Sequence, residues 1–141
     1  MQVVRLVADG MTNPEIGARL GVAASTVKQH MARVAVKFGT GDRAGIVGAA
    51  IRTGLIQVPV VRGVPGGFGE DLFDVLVRIA RGMDNRQIAA DLGISYEAVK
   101  TRVKRLLSVL GVRNREQAVA AGVACGALRL VPVRRRVAVA A

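Results

Sequence analysis

The sequence is short of the residues that most chemistry and many binding modes require. It has one cysteine, Cys125, in 141 residues, which excludes an internal disulfide and a cysteine-rich zinc site and fits a reducing compartment. It has no tryptophan, one tyrosine and three phenylalanines, so the core must be aliphatic. The same scarcity argues against the aromatic stacking platforms of single-strand nucleic-acid binders. The single histidine, His30, has no second histidine or suitable cysteine beside it in the sequence, so a metal site is not expected. No uncharged apolar run approaches the ~18 residues of a membrane span, and no basic-then-apolar leader opens the chain. No paired carboxylates and no nucleophile–base motif appear, and the glycines at 66, 67 and 69 lack the Lys-Ser/Thr of a nucleotide loop. Neither an enzyme nor a cofactor is expected.

Acidic residues are scarce as well: 10 Asp and Glu face 21 Lys and Arg, for a net charge of +11. That balance points to an anionic polymer, and with few aromatics the polymer is duplex rather than single-stranded. A soluble, cytoplasmic, nucleoid-associated protein is the expectation.

The chain contains itself twice. A shift of 72 positions lays residues 10–56 on residues 82–128 without a gap, and 15 of the 47 pairs are identical. Val58-Pro59-Val60-Val61-Arg62 also resembles Val131-Pro132-Val133-Arg134-Arg135 after one inserted residue. The reading is two units, residues 1–56 and 70–128, joined by a Pro/Gly/Val linker at 57–69 and followed by a basic extended tail at 129–141. The linker reads as extended, with a short strand or an edge pairing to the tail as options. Its thirteen residues reach at most ~43–47 Å. Apolar spacing predicts four short helices per unit, hence an all-α fold. In the second unit the stripes are Val75, Leu76, Ile79; Ile88, Ala89, Leu92; Val99, Val103, Leu106, Leu110; and a fourth helix near 115–124. The first unit repeats them with Val3, Val4, Val7; Ile16, Leu20; Val27, Met31, Val34, Phe38; and Ile46, Val47, Ala50, beginning on a short first helix.

Two helices that cross steeply need a small residue where their backbones meet and a turn that tolerates positive φ. Gly17 and Ala89 supply the first, Gly21 and Gly93 the second. Ile16, Leu20, Val22 and Val27 lock one such pair, and Ile88, Leu92, Ile94 and Val99 the other. Two in-register copies in one basic chain predict a tandem helix-turn-helix. The stretches from Gly10 to Val22 with Thr26-Val27-Lys28-Gln29-His30, from Gly82 to Ser95 with Val99-Lys100, and from Leu110 to Val119 resemble the LuxR/GerE-type DNA-binding domain. The resemblance covers about residues 1–56 and 70–128. It implies a four-helix domain of a bacterial or phage transcription regulator, with the third helix in the major groove and the fourth often used to pair domains. The first unit departs from it most: Ala23 stands where Ser95 caps the third helix, and residues 40–45 are a degraded copy of 112–117, which argues against pairing through its fourth helix. In the second unit Arg78 replaces an aliphatic residue and Arg102 the family histidine kept as His30.

With the apolar stripes turned inward, the opposite face of each third helix carries Lys28, Gln29, Ala32 and Arg33, or Lys100, Thr101, Lys104 and Arg105. The resemblance implies that these contact bases. The lysines can donate to guanine, Gln29 can pair with adenine, and Thr101 can meet a thymine methyl or a phosphate. Thr12, Asn13, Thr26 and Asn85 lie near helix starts, where phosphate is commonly held. Helix capping is the competing role for Thr12, Asn13, Asn85 and Asp84, and packing or a backbone bond for His30. Arg134, Arg135 and Arg136 in the tail suit phosphates. The resulting expectation is a sequence-specific binder of double-stranded DNA acting as a monomeric pseudo-dimer on a palindrome or direct repeat, with a homodimer of the whole chain as the other state. RNA polymerase or another regulator is a second partner class, because residues 94–107 also resemble the promoter-reading fourth region of sigma factors. A non-specific DNA-packaging protein is the third reading.

Overall fold

The computed structural model describes residues 2–61 and 63–130. Arg134, Arg135 and Arg136, the segment 131–135 and any tail pairing lie outside them. Eight helices follow in order: α1 (Gln2–Ala8), α2 (Asn13–Leu20), α3 (Ala24–Phe38), α4 (Arg43–Arg52), α5 (Glu70–Ala80), α6 (Asn85–Leu92), α7 (Tyr96–Leu110) and α8 (Arg115–Ala124). No strand occurs among the described residues, so the fold is all-α as expected, and α5 to α8 repeat α1 to α4.

Local chemistry sets the helix ends. Thr12 and Asp84 open α2 and α6 with matching capping boxes: each accepts from the backbone N–H three residues on, and Glu15 or Gln87 accepts from the cap's own N–H. Gly21 and Gly93 close the same helices at φ 71° and 65°, the left-handed turn that leads into the next helix. A Cβ on Gly17 would stand 2.6 Å from the Val22 carbonyl oxygen, which shows how closely the turn passes over α2. Ser95 caps α7 through the Ala98 N–H at 3.1 Å, whereas Ala23 leaves α3 without a side-chain cap.

One aliphatic core runs through both repeats, from Val4, Val7, Ile16, Val27 and Val47 to Leu72, Leu76, Ile88, Val99 and Leu106, all at most 1% exposed. Each repeat packs its third helix on its second, and its first and fourth helices on one another. The repeats then meet through α4 against α8, α4 against α5, and α1 against α8. The contact runs in both directions. A Cβ on Gly10 would touch Gln117, and one on Gly45 would stand 2.6 Å from the Gly82 Cα; position 10 corresponds to 82, and 45 to 117. Equivalent surfaces therefore meet each other, which is an isologous arrangement inside a single chain.

Two expectations are corrected here. Residues 40–45 do not weaken pairing through α4: their small side chains permit it. Ala44 to Ile51 are all buried, and Gly48 lies so close to α5 that a Cβ would collide with the Ala80 carbonyl. An apolar residue on every side of α4 suits a helix surrounded by protein. The linker, in turn, is not stretched between separated units. Arg5 Nη1 donates to the Gln57 carbonyl at 2.9 Å and the Val61 N–H donates to the Ala124 carbonyl at 2.9 Å, so the segment lies along α1 and α8. The short-strand option for residues 57–61 and 63–69 is not realised.

Candidate nucleic-acid interface

Helices α3 and α7 each bury one stripe, Val27, Met31 and Val34 in α3 and Val99, Val103 and Leu106 in α7. Lys28, Gln29, Ala32 and Arg33 are exposed on α3, and Lys100, Thr101, Lys104 and Arg105 on α7. Thr26 is exposed in the first turn of α3. Each set of side chains is thus displayed on one rigid, 15-residue helix held by its helix-turn-helix partner.

Their surroundings differ. Lys28 and Arg33 form no ion pair among the described residues, whereas Arg105 Nη2 binds Asp71 Oδ2 on the first turn of α5 at 2.6 Å. Arg105 thus sits in a solvent-exposed ion pair. Lys100 Nζ lies 3.9 Å from Glu97 Oε2 and 5.6 Å from the centre of the Tyr96 ring. Arg78, the departure from an aliphatic residue, pairs with Asp91 on α6 and donates to the Asp74 carbonyl.

Asn13 and Asn85 are half-buried. The Asn13 side-chain oxygen accepts from Arg43 Nη1, and Arg43 Nη2 donates to the Met11 carbonyl at 2.8 Å. Asn85, Arg115 and Met83 repeat these bonds, again at 2.8 Å to the carbonyl. Each arginine ties the start of the fourth helix to the start of the second. Both asparagine carbonyls are thus occupied as clamps, a role visible in sequence only as the identity of Asn and Arg in both repeats. Thr12 and Asp84 act as caps. The His30 Nε2 is shielded from solvent and has no hydrogen-bond partner among the described residues.

Two polar contacts cross between repeats without a counterpart. Arg113 donates to both Glu15 oxygens, at 3.1 and 2.9 Å. The guanidinium bond, helped by the Thr12 N–H, holds the Glu15 carboxyl down to about 2 from 4.5. The matching positions, Gly41 and Gln87, carry no charge. Nearby, Asn114 Nδ2 donates to the Gly10 carbonyl at 2.9 Å.

Comparison with known proteins agrees with this geometry. Residues 1–50 and 73–121 match the family of bacterial regulatory proteins, luxR family. The chain is 53% identical over 45 residues to the uncharacterized transcriptional regulatory protein YhcZ of Bacillus subtilis (strain 168), covering 32% of this chain and 21% of that one. It is 44% identical over 56 residues to the probable transcriptional regulatory protein NarL of Mycobacterium tuberculosis (strain CDC 1551 / Oshkosh), covering 40% and 26%. Over 42 residues it is 48% identical to the nitrate/nitrite response regulator protein NarP of Escherichia coli (strain K12), covering 30% and 20%. The chain thus spans about a quarter or less of these relatives' lengths. No solved structure matches it.

Proposed function

The chain belongs to the luxR family of bacterial regulatory proteins and carries the family's helix-turn-helix twice; on that premise we propose that it regulates transcription by binding duplex DNA sequence-specifically as a covalent pseudo-dimer. Residues 1–56 and 70–128 are its two reading units, with α3 and α7 each entering a major groove. Lys28, Gln29, Ala32 and Arg33 read one half-site, and Lys100, Thr101 and Lys104 the other. Arg105 joins them once it leaves Asp71. Thr12 and Thr26 lie where backbone phosphates pass, and the Asn13 and Asn85 amide nitrogens are left to face them.

The observation that carries this reading is the isologous packing of α1 and α4 on α8 and α5, with two exposed basic helices in equivalent places. Equivalent surfaces meeting each other favour an inverted pair of half-sites over a direct repeat, because operator palindromy mirrors two-fold pairing. The half-sites are unequal, since Gln29 and Ala32 correspond to Thr101 and Lys104. Covalent joining relieves the protein of a dimerisation step, and the surfaces that would pair two chains are spent within one.

The test is selection from a random duplex library by the purified chain, then competition near physiological salt. The expected result is an inverted, asymmetric bipartite site outbinding bulk DNA by ~10³-fold or more. Uniform affinity for all sequences would replace this reading with DNA packaging, and failure to hold duplex at that salt with a protein retained instead would replace it with an interaction module. Moving Lys28, Gln29, Ala32 and Arg33 into the matching positions of α7 should convert the second half-site to the first; an unchanged consensus refutes the helix assignment.

A further inference from the structure

The sole tyrosine is placed where a purely structural aromatic has little to do. Tyr96 is the first residue of α7 and is 44% exposed. Two cations gather on it: the Lys100 ammonium at 5.6 Å and the Arg86 guanidinium at 6.0 Å from the ring centre. It also lines a cleft of about 320 Å³ with Asp84, Asn85, Arg86 and Arg115, where the starts of α6, α7 and α8 converge. The Asp84 carboxylate there is occupied as the cap of α6, accepting from the Gln87 N–H at 2.9 Å. Of the ring and its two cations the first repeat keeps only the lysine: Pro14, Ala24 and Lys28 stand at the positions of Arg86, Tyr96 and Lys100.

We propose that Tyr96 is a positioning residue for DNA binding, holding Lys100 and Arg86 together as one preformed cationic patch at the start of the reading helix, so that the second repeat anchors the chain on DNA. This rests on the DNA-binding reading above. A lysine side chain is a flexible stem, and binding costs the rotamer freedom it gives up. A ring that already attracts the ammonium removes part of that cost before DNA arrives. The neighbouring Glu97 carboxylate also approaches Lys100, at 3.9 Å, but it must be displaced by a phosphate or base edge of like polarity, whereas the neutral ring need not be. The first repeat, with Ala24, has to order Lys28 during binding.

The experiment uses the whole chain and two duplexes derived from the selected site, one with each half scrambled, the halves assigned by the helix swap. Tyr96→Leu should weaken binding about two- to five-fold on the duplex that keeps the second repeat's half-site and leave the other duplex unchanged. Tyr96→Phe should restore wild-type affinity, and Glu97→Gln should not weaken it. Pro14→Arg combined with Ala24→Tyr should strengthen binding to the first half-site by a similar factor. In the free protein, NMR should show a ring-current shift of the Lys100 side chain that persists in Tyr96→Phe and disappears in Tyr96→Leu. Equal affinity of Tyr96→Leu and wild type on both duplexes overturns the proposal while leaving DNA binding intact. A normal ring-current shift in a chain that selects no DNA overturns the DNA-binding reading and this one with it.

Discussion

Helices α4 and α8 are the same element of the repeat in two settings. Every residue from Ala44 to Ile51 is buried in α4, while α8 buries only Ala118, Val119, Gly122 and Val123 and keeps Arg115, Glu116 and Gln117 partly in solvent. The burial differs at four equivalent positions, 44, 45, 48 and 49 against 116, 117, 120 and 121, and two of them are glycines in α4. Gly48 lets α4 approach the end of α5 at backbone distance and Gly45 does the same with Gly82 just beyond it, where the equivalent Ala120 and Gln117 carry side chains, that of Gln117 standing against Gly10. An interface between like surfaces thus acquires a tight side and a loose side once both are in one chain, and the tight side becomes the centre of the molecule.

The strongest way to break that comparison is to put the same bulk on both sides. Gly48→Leu drives a side chain into the Ala80 carbonyl and should cost about 3 kcal/mol or more. Ala120→Leu, bordering a cleft of about 430 Å³, should cost about 1 kcal/mol or less. Equal shifts in urea midpoint would mean that the two sides are packed alike. The arginine clamps should be alike: Arg43→Ala and Arg115→Ala each remove charged hydrogen bonds to an asparagine and a carbonyl and should each cost roughly 1.5–3 kcal/mol. A marked inequality in denaturation would locate a further asymmetry at the fourth-helix starts.

Smaller effects sharpen the contrast between α3 and α7. Ser95→Ala should destabilise by about 1 kcal/mol, and Ala23→Ser should stabilise by a similar amount, bringing α3 to the state of α7. Thermal unfolding reads both, and no gain from Ala23→Ser would show that the α3 start has other support. The smallest effect concerns the one-sided ion pair. The Glu15 carboxyl titrates near 2 when folded and near 4.5 when free, so its contribution is complete above about pH 4.5 and is lost as pH falls towards 2. Across that window wild type should lose stability more steeply than Glu15→Gln; parallel curves would show that Arg113 gains nothing from Glu15.

The repeat made most of the architecture legible. The 72-residue shift, the turns at Gly21 and Gly93 and the cap at Ser95 are local signals, and the helices lie where they point. The exposed faces of α3 and α7 follow from their apolar stripes alone. Where the structure departs from the sequence expectation, the cause is a partner distant in sequence. Residues 40–45 look like decay unless the turn at Gly82 is known to pack against Thr40 and Gly45, and residues 57–61 look like a tether unless α1 and Ala124 are known to hold them. Asn13 and Asn85 offer the chemistry of a phosphate contact and of a helix cap; that their side-chain oxygens accept from Arg43 and Arg115, thirty residues on, is a tertiary fact. Arg105 fits a reading helix by spacing, and its bond to Asp71 is a tertiary fact.

The isologous contact has a consequence for inheritance. When two identical chains pair, every change at their junction is made twice, once on each side of the axis, and a residue must suit both places at once. Here the two sides are spelled by different codons. Gly45 can meet Gly82 while Gln117 meets Gly10, and Glu15 can take Arg113 while Gln87 and Gly41 stay neutral. Under the proposed reading, a mutation in α3 alters one half of the message without rewriting the other, so the two halves are free to diverge while sharing one core.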